Sequence, residues 1–213
     1  MKKHEQGDAR GNVQFIELED ESDQIERMSS LASAIVREHY DPIIGKAQND
    51  YMIERFQSPP AIRGQLAEGA RYYFIVEDSA EAATNADAES DHGLGADSGE
   101  RNGSCKGHLN DCWSDACEPI GFLSYYLKGD ILYLSKFYLH KSRRGRGYSR
   151  RMLGFLESRA REAKCDAIEL NVNRNNPSIG VYERIGFTRA REEKNDIGNG
   201  FFMDDYVYRL TVE

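Results

Sequence analysis

Arg144-Gly145-Arg146-Gly147-Tyr148-Ser149 is the stretch of this sequence whose residue types are best suited to chemistry. It stands between an apolar run, Ile131 to His140, and an amphipathic run, Tyr148 to Ala163. A strand, a glycine-containing turn and a helix start, in that order, aim backbone N–H groups outward at a positive helix end. That is an anion site, and the anion that fits is a phosphate or pyrophosphate. Further along, Asp204-Asp205 interrupts an aromatic run, Phe201 to Tyr208. Consecutive strand residues face opposite sides, so one of these carboxylates is directed to the covered face of a sheet, where it could bind a cationic amine. A surface salt bridge is an equally good use for it. A third cluster, Cys105-x2-His108-x3-Cys112-x4-Cys117, gathers four soft ligands. Its spacing matches no standard zinc finger and no second cluster accompanies it, so free thiols are expected and no metal.

These residues need a frame. Val13 to Leu18 reads as a strand, and Asp23 to Tyr40 carries Ile25, Met28, Ala32, Ile35 and Val36 at helical spacing, with Asp41-Pro42 ending it. Asn49 to Phe56 and Ala61 to Glu68 suit two short helices broken by Ser58-Pro59-Pro60. Arg71 to Glu77 alternates as a strand. Ile120 to Leu127 and Ile131 to Leu139 form a hairpin around Lys128-Gly129-Asp130. The helix after the glycine turn carries Met152, Leu153, Leu156, Ala160 and Ala163 on one side. Ala167 to Val172 is another strand, Ile179 to Ile185 a short helix closed by Gly186, and Phe187 to Glu192 and Phe201 to Val212 two last strands around Gly198-Asn199-Gly200. Together these make an α/β arrangement with a mixed sheet and helices on its faces.

Composition bounds the rest. The chain has 213 residues, 39% hydrophobic and 30% charged, with a net charge of −8. This describes a single globular domain over 12–213, preceded by a flexible N-terminus, 1–11. No run approaches the roughly 20 apolar residues of a membrane span, and the polar start is no secretory signal, so a cytoplasmic protein is expected. From 78 to 117 the sequence is acidic and poor in large apolar residues. It reads as a disordered insertion in a surface loop, which chain entropy tolerates because closure cost grows slowly with length. The insertion would open near the glycine turn, where an acidic tether could compete for its arginines. The basic run Lys141, Arg143, Arg144, Arg146, Arg150, Arg151 could in principle face nucleic acid, but the remainder of the chain is strongly acidic and exposed aromatics do not interleave with it. Neither nucleic acid nor membrane is an expected partner; a homodimer is left open.

The hexapeptide resembles the Arg/Gln-x-x-Gly-x-Gly/Ala loop of the GCN5-related N-acetyltransferases, with Ser149 where Gly or Ala is usual. Downstream, Asn175-Asn176-Pro177-Ser178-Ile179-Gly180-Val181-Tyr182-Glu183-Arg184-Ile185-Gly186-Phe187 resembles that family's second motif, an Asn seven residues before a Tyr that is followed by Glu/Lys-x-x-Gly-Phe. The resemblance implies an acyl-CoA N-acyltransferase fold, in which the strand before the loop is bulged and splays from its parallel neighbour. It implies acetyl-CoA as co-substrate. The freed backbone of Phe137, Tyr138 and Leu139 would pair with the pantetheine arm. Amides of Arg144, Gly145, Arg146, Gly147, Tyr148 and Ser149 would take the pyrophosphate, and Asn175 would bond the arm. Tyr182 occupies the position of the acid that protonates the leaving thiolate.

The implied reaction is direct transfer of acetyl to a primary amine in a ternary complex. The amine's pKa of about 10.4 leaves it protonated at neutral pH, so a base is useful. Candidates are Glu169, water beside Asn171, His39, His140, Asp204 and Asp205. Tyr40, Tyr51, Tyr72 and Tyr73 could line an acceptor pocket through cation–π contacts or simply pack. A loose resemblance through Met203-Asp204-Asp205-Tyr206 favours a small, polyamine-like acceptor. A protein or peptide amine, or a CoA-binding module without turnover, is the alternative.

Overall fold

The computed structural model describes residues 13–77 and 118–213. The expectations for 1–11, for the insertion 78–117 and for the cluster Cys105, His108, Cys112, Cys117 lie outside the described residues. Seven strands and five α-helices are described. They are β1 (Val13–Glu17), α1 (Ser22–Ile44), α2 (Lys46–Gln57), α3 (Pro59–Ala67), β2 (Arg71–Glu77), β3 (Pro119–Lys128) and β4 (Ile131–Leu139). Then come α4 (Tyr148–Glu162), β5 (Ala167–Asn173), α5 (Ile179–Arg184), β6 (Thr188–Gly198) and β7 (Phe201–Thr211).

The strands make one mixed sheet in the order β1-β2-β3-β4-β5-β7-β6. Its two faces bury different helices, as the period-2 pattern requires. Tyr73, Ile75, Leu123, Leu132, Leu134, Ile168 and Leu170 pack with Met152 and Leu156 of α4. Tyr72, Phe74 and Phe122 pack with Ile25, Met28 and Ile35 of α1 and Ile62 of α3. Met152 and Leu156 are fully buried, each stabilising the fold by about 2 kcal/mol. Edge strand β6 is mostly exposed and charged, with Arg189, Arg191, Glu192, Glu193 and Lys194 along it; such charges discourage pairing with another chain. No helix among the described residues is long and apolar enough to cross a membrane.

Several boundaries differ from the sequence expectation: α2 begins at Lys46 rather than Asn49, β6 runs on to Gly198 rather than Glu192, and two others involve proline. Proline does not end α1, which runs through Pro42 to Ile44. Its last turn is held from outside. The Gly45 N–H donates to the Asp41 carbonyl at 3.1 Å, and Asn49 Nδ2 donates to Asp41 Oδ1 at 2.6 Å. Pro59 and Pro60 belong to α3 rather than to the break before it, because first-turn residues need no N–H donor.

Among the described residues only one strand pair is parallel, and it is short. β4 and β5 pair at Ile131 with Ala167, Leu132 with Ile168 and Tyr133 with Glu169, and then part. β4 carries an extra residue at that point. Tyr125 of β3 opposes Leu134 and Ser124 opposes Lys136, which leaves Ser135 as a bulge. Beyond it, Phe137, Tyr138 and Leu139 pair only with β3. The outer end of β4 is pressed against β3 at Gly121. A Cβ there would lie 2.2 Å from the Tyr138 carbonyl oxygen and 3.0 Å from the Leu139 Cα. Gly121→Ala should therefore cost about 3 kcal/mol through overpacking against backbone. The melting temperature should fall by roughly 10 °C in calorimetry; an unchanged value would mean that β3 and β4 separate freely.

Candidate functional site

The glycine turn is built as its sequence requires. After β4 the chain makes one 3-10 turn, Lys141–Arg143, and Arg144 is extended. Gly145 and Gly147 then take φ of +79° and +84°. Gly147, in the left-handed region, is the residue preceding α4. The backbone N–H groups from Gly145 to Ser149 have no hydrogen-bond partner among the described residues. They form the positive end of a 15-residue helix. Acidic side chains hold the arginines around them. Arg143 pairs with Glu77 at 2.7 Å, and Arg144 approaches Glu38 at 4.0 Å and donates through Nε to the Leu139 carbonyl at 3.0 Å. Glu77 also accepts a hydrogen bond from Tyr148 Oη.

Two cavities flank the wedge between β4 and β5. The first, of about 470 Å³, is lined by Phe137, Leu139, the turn from Arg143 to Arg150 except Arg146, and Tyr182 with its neighbours on α5. Of the residues expected from sequence, it brings together Phe137, Leu139, Arg144, Gly145, Gly147, Tyr148, Ser149 and Tyr182. Arg146 and Asn175 are exposed and line neither cavity, and the Tyr138 side chain faces the second one. The Tyr182 ring lies between Phe137 and Phe187, with centroids 6.0 and 5.9 Å away. Burial first, and then the nearby Tyr40, pushes its hydroxyl above the ordinary phenol pKa, so it remains a proton donor throughout the neutral range.

The second cavity, of about 240 Å³, lies on the α1–α2 face. Tyr40, Gln57, Lys136, Tyr138, Asn171 and Asp205 line it among others. The Asp204-Asp205 pair divides as strand geometry dictates. Asp205 is 3% exposed and lines the cavity, while Asp204 is half-buried and pairs with Arg174 at 2.5 Å. Burial, together with the carboxylates of Asp204 and Glu193, raises the Asp205 pKa to about 6; an Asn171 hydrogen bond and Arg174 oppose the shift. Lys136 donates to Ser135 Oγ at 3.1 Å, and burial lowers its pKa to about 8.

The wider search for a base narrows. Both oxygens of Glu169 are taken, by Arg191 at 3.1 Å and Arg209 at 2.9 Å. His39 is held in a chain of hydrogen bonds. Its Nδ1 accepts from Arg144 at 3.3 Å and its Nε2 donates to Asn176 Oδ1 at 3.0 Å, and Asn176 Nδ2 donates to Tyr40 Oη at 3.1 Å. Tyr40 in turn bonds Tyr138. Burial is the main cause of the lowered His39 pKa. Of the four tyrosines named from sequence only Tyr40 lines the second cavity. Tyr72 and Tyr73 are core residues, and Tyr51 donates to the Ile197 carbonyl at 2.6 Å. Sequence reasoning missed Asn176 and Lys136. Asn176 is the buried member of an Asn-Asn pair, and its oxygen also accepts the Ser178 N–H at 2.8 Å. That use inside the protein leaves Asn175 as the asparagine with a free side chain.

A family model described as the acetyltransferase (GNAT) family matches residues 52–187. No curated protein matches the chain. Among solved structures it is similar to the PaiA N-acetyltransferase of Thermoplasma acidophilum, in complex with coenzyme A. The TM-score is 0.61 at 14% identity, over 94% of this chain and 99% of that one. A GCN5-related N-acetyltransferase from Rhodopseudomonas palustris gives 0.60 at 11% identity, over 98% and 99%. The spermidine N-acetyltransferase of Vibrio cholerae, in complex with CoA and spermine, gives 0.55 at 11%, over 94% and 95%. At these identities the likeness is one of fold.

Proposed function

The chain belongs to the acetyltransferase (GNAT) family, and on that premise we propose that it transfers the acetyl group of acetyl-CoA to a small-molecule primary amine by direct attack. The observation that carries this reading is the parting of β4 from β5 beside the glycine turn, with a cavity on each side of the wedge. The donor enters through the first cavity. The Phe137–Leu139 backbone, unpaired on its β5 side, would bind the pantetheine arm as an added strand. Asn175 would bond the same arm, and the N–H groups of Arg144 through Ser149 would take the pyrophosphate. The acceptor enters through the second cavity, where Asp205 takes a proton from its ammonium. The neutral nitrogen attacks the thioester carbonyl carbon, a backbone N–H near Tyr138 stabilises the oxyanion, the carbon–sulfur bond breaks as Tyr182 donates a proton to the departing sulfur, and the extra proton on the new amide nitrogen returns to the Tyr182 oxygen.

The second cavity is small for a peptide. Asp205 suits the positive charge that a polyamine-like acceptor presents, but Lys136 in the same cavity opposes the further charges of such a chain.

Incubating the purified chain with acetyl-CoA and a panel of polyamines, amino acids, aminoglycosides and peptides tests the reading through release of free thiol. Amine-dependent release is expected. Binding of acetyl-CoA without release for any amine would overturn the transfer. The donor site has its own test. Gly147→Ala forces a side chain into left-handed backbone at a cost of about 1–2 kcal/mol. The CoA dissociation constant measured by calorimetry should rise about tenfold; a value within about twofold of the parent would argue that the turn does not hold the phosphates.

A further inference from the structure

The second cavity contains one feature that an acceptor bearing only positive charge leaves unexplained. Lys136 projects into it from β4, and among the described residues its ammonium has Ser135 Oγ as its hydrogen-bond partner and no carboxylate within ion-pair distance. A cation held in a protein cavity without a counter-ion is costly. Asp205 enters the same cavity from β7. The two strands are separated by β5, and because β4 and β5 have parted here the gap is at least roughly 10 Å of backbone, which the long Lys136 side chain narrows. A third group is also unmatched. Gln57 is 5% exposed, lines the cavity, and its Oε1 has no hydrogen-bond partner among the described residues. The cavity therefore presents an anion from β7, a cation from β4 and an unmatched amide oxygen from α2. Apolar side chains, Val36, Ile44, Met52 and Met203, make up much of the remainder. At about 240 Å³ the space falls below the roughly 300–1,000 Å³ of sites for drug-sized ligands.

We propose that the acceptor is an amino-acid-like zwitterion: a primary amine whose molecule also carries a carboxylate, with the ammonium held at Asp205 and the carboxylate at Lys136. The assignment rests on the acetyl-transfer reading and narrows its acceptor. Each partner answers a charge that the cavity walls leave unbalanced. The lowered pKa of Lys136 has the same cause, since burial without a counter-ion disfavours its charged form. A carboxylate beside it would restore the charge. A linear polyamine would instead bring a second ammonium toward Lys136, where like charges repel in a poorly solvated space.

The test compares kcat/KM for amino acids of increasing amine-to-carboxylate separation with that for their carboxamides and for linear diamines, using thiol release by the full chain. The carboxamide of an α-amino acid has the less basic, more available amine, so intrinsic reactivity favours it, and preference for the carboxylate form must come from the protein. The parent protein is expected to prefer at least one carboxylate-bearing amine over its carboxamide by about tenfold or more, the effect of one buried charged hydrogen-bond partner. In Lys136→Met and Lys136→Gln that ratio should collapse toward unity. Equal or better use of carboxamides or diamines by the parent protein overturns the proposal by itself, even if neither variant folds. An unchanged ratio in folded variants overturns it too. In both cases thiol is released, so acetyl transfer stands. Acetyl-CoA binding with no release for any amine removes the transfer reading, and this inference with it.

Discussion

Replacing Tyr182 by Phe should lower kcat about a hundredfold while leaving the acetyl-CoA dissociation constant within about twofold, because only the hydroxyl is lost. The ring stays between Phe137 and Phe187, and the wall of the donor cavity is kept. The size of the effect follows from an ordering of acidities. Burial lifts the Tyr182 hydroxyl above its ordinary value, whereas a thiol ionises near 8.5. A phenol that holds its proton more tightly than the leaving thiol stays protonated at neutral pH and stabilises the developing thiolate by donating a hydrogen bond, giving up the proton only as its oxygen recovers one from the amide nitrogen. Losing one charge-assisted bond of that kind costs about 2–3 kcal/mol, or roughly a hundredfold. The deficit of Tyr182→Phe should therefore shrink with an acetyl thioester of a more acidic thiol, which needs less help to leave. Pre-steady-state thiol release measures both quantities. An unchanged chemical rate removes Tyr182 from the reaction. A deficit independent of the leaving group assigns it to shaping the cavity.

The geometry of the proposed donor side was legible because its determinants are local. Gly145 and Gly147 take positive φ directly before a helix start, and a sequence displays glycines and helix starts openly. The order of strands and helices followed from periodicity in the same way. The acceptor side depends on an event that hydrophobic patterning conceals. Strict alternation along Ile131 to Leu139 would put Lys136 on the face of Leu132 and Leu134, inside the α4 core. The bulge at Ser135 reverses the alternation, so Phe137 and Leu139 join that core while Lys136 and Tyr138 turn to the second cavity. The family resemblance implied a bulge but not its position, and one residue's difference decides which side chains line that cavity. Asn176 was hidden for another reason. Two adjacent asparagines are indistinguishable as letters, and only the approach of His39 and Tyr40 from α1, distant in sequence, separates the buried one from the exposed one. Pro42 shows the limit of a local rule: tertiary bonds to Asp41 carried α1 past a residue that ordinarily ends a helix.

Asp205→Asn should reduce kcat/KM by about a hundredfold or more and abolish an acid limb near pH 6. The carboxyl must be ionised to accept a proton from the bound ammonium, and burial beside Asp204 and Glu193 raises its pKa from 3.8 to about 6. The parent kcat/KM should thus climb as pH passes through 6, and the variant should lose that step. The alternatives are less well placed. Glu169 is engaged by two arginines, and the His39 nitrogens bond Arg144 and Asn176. The same raised pKa makes a stability prediction of opposite sign. The folded protein holds this proton more tightly than the unfolded chain does. The associated stabilisation is complete below pH 3.8 and is lost as pH rises through about 6. Asparagine bears no charge to desolvate, so the variant should melt a few degrees higher than the parent at pH 8, roughly 2 kcal/mol more stable, with the gap closing toward pH 4. Loss of activity by misfolding would lower the melting temperature, so the two measurements together separate the chemical role from damage. An acid limb that persists in the variant would assign the base elsewhere. A variant no more stable than its parent at pH 8 would mean that the acceptor cavity solvates Asp205 more fully than its burial suggests. That result would weaken the case for a carboxylate held there at the expense of stability to receive a cationic amine.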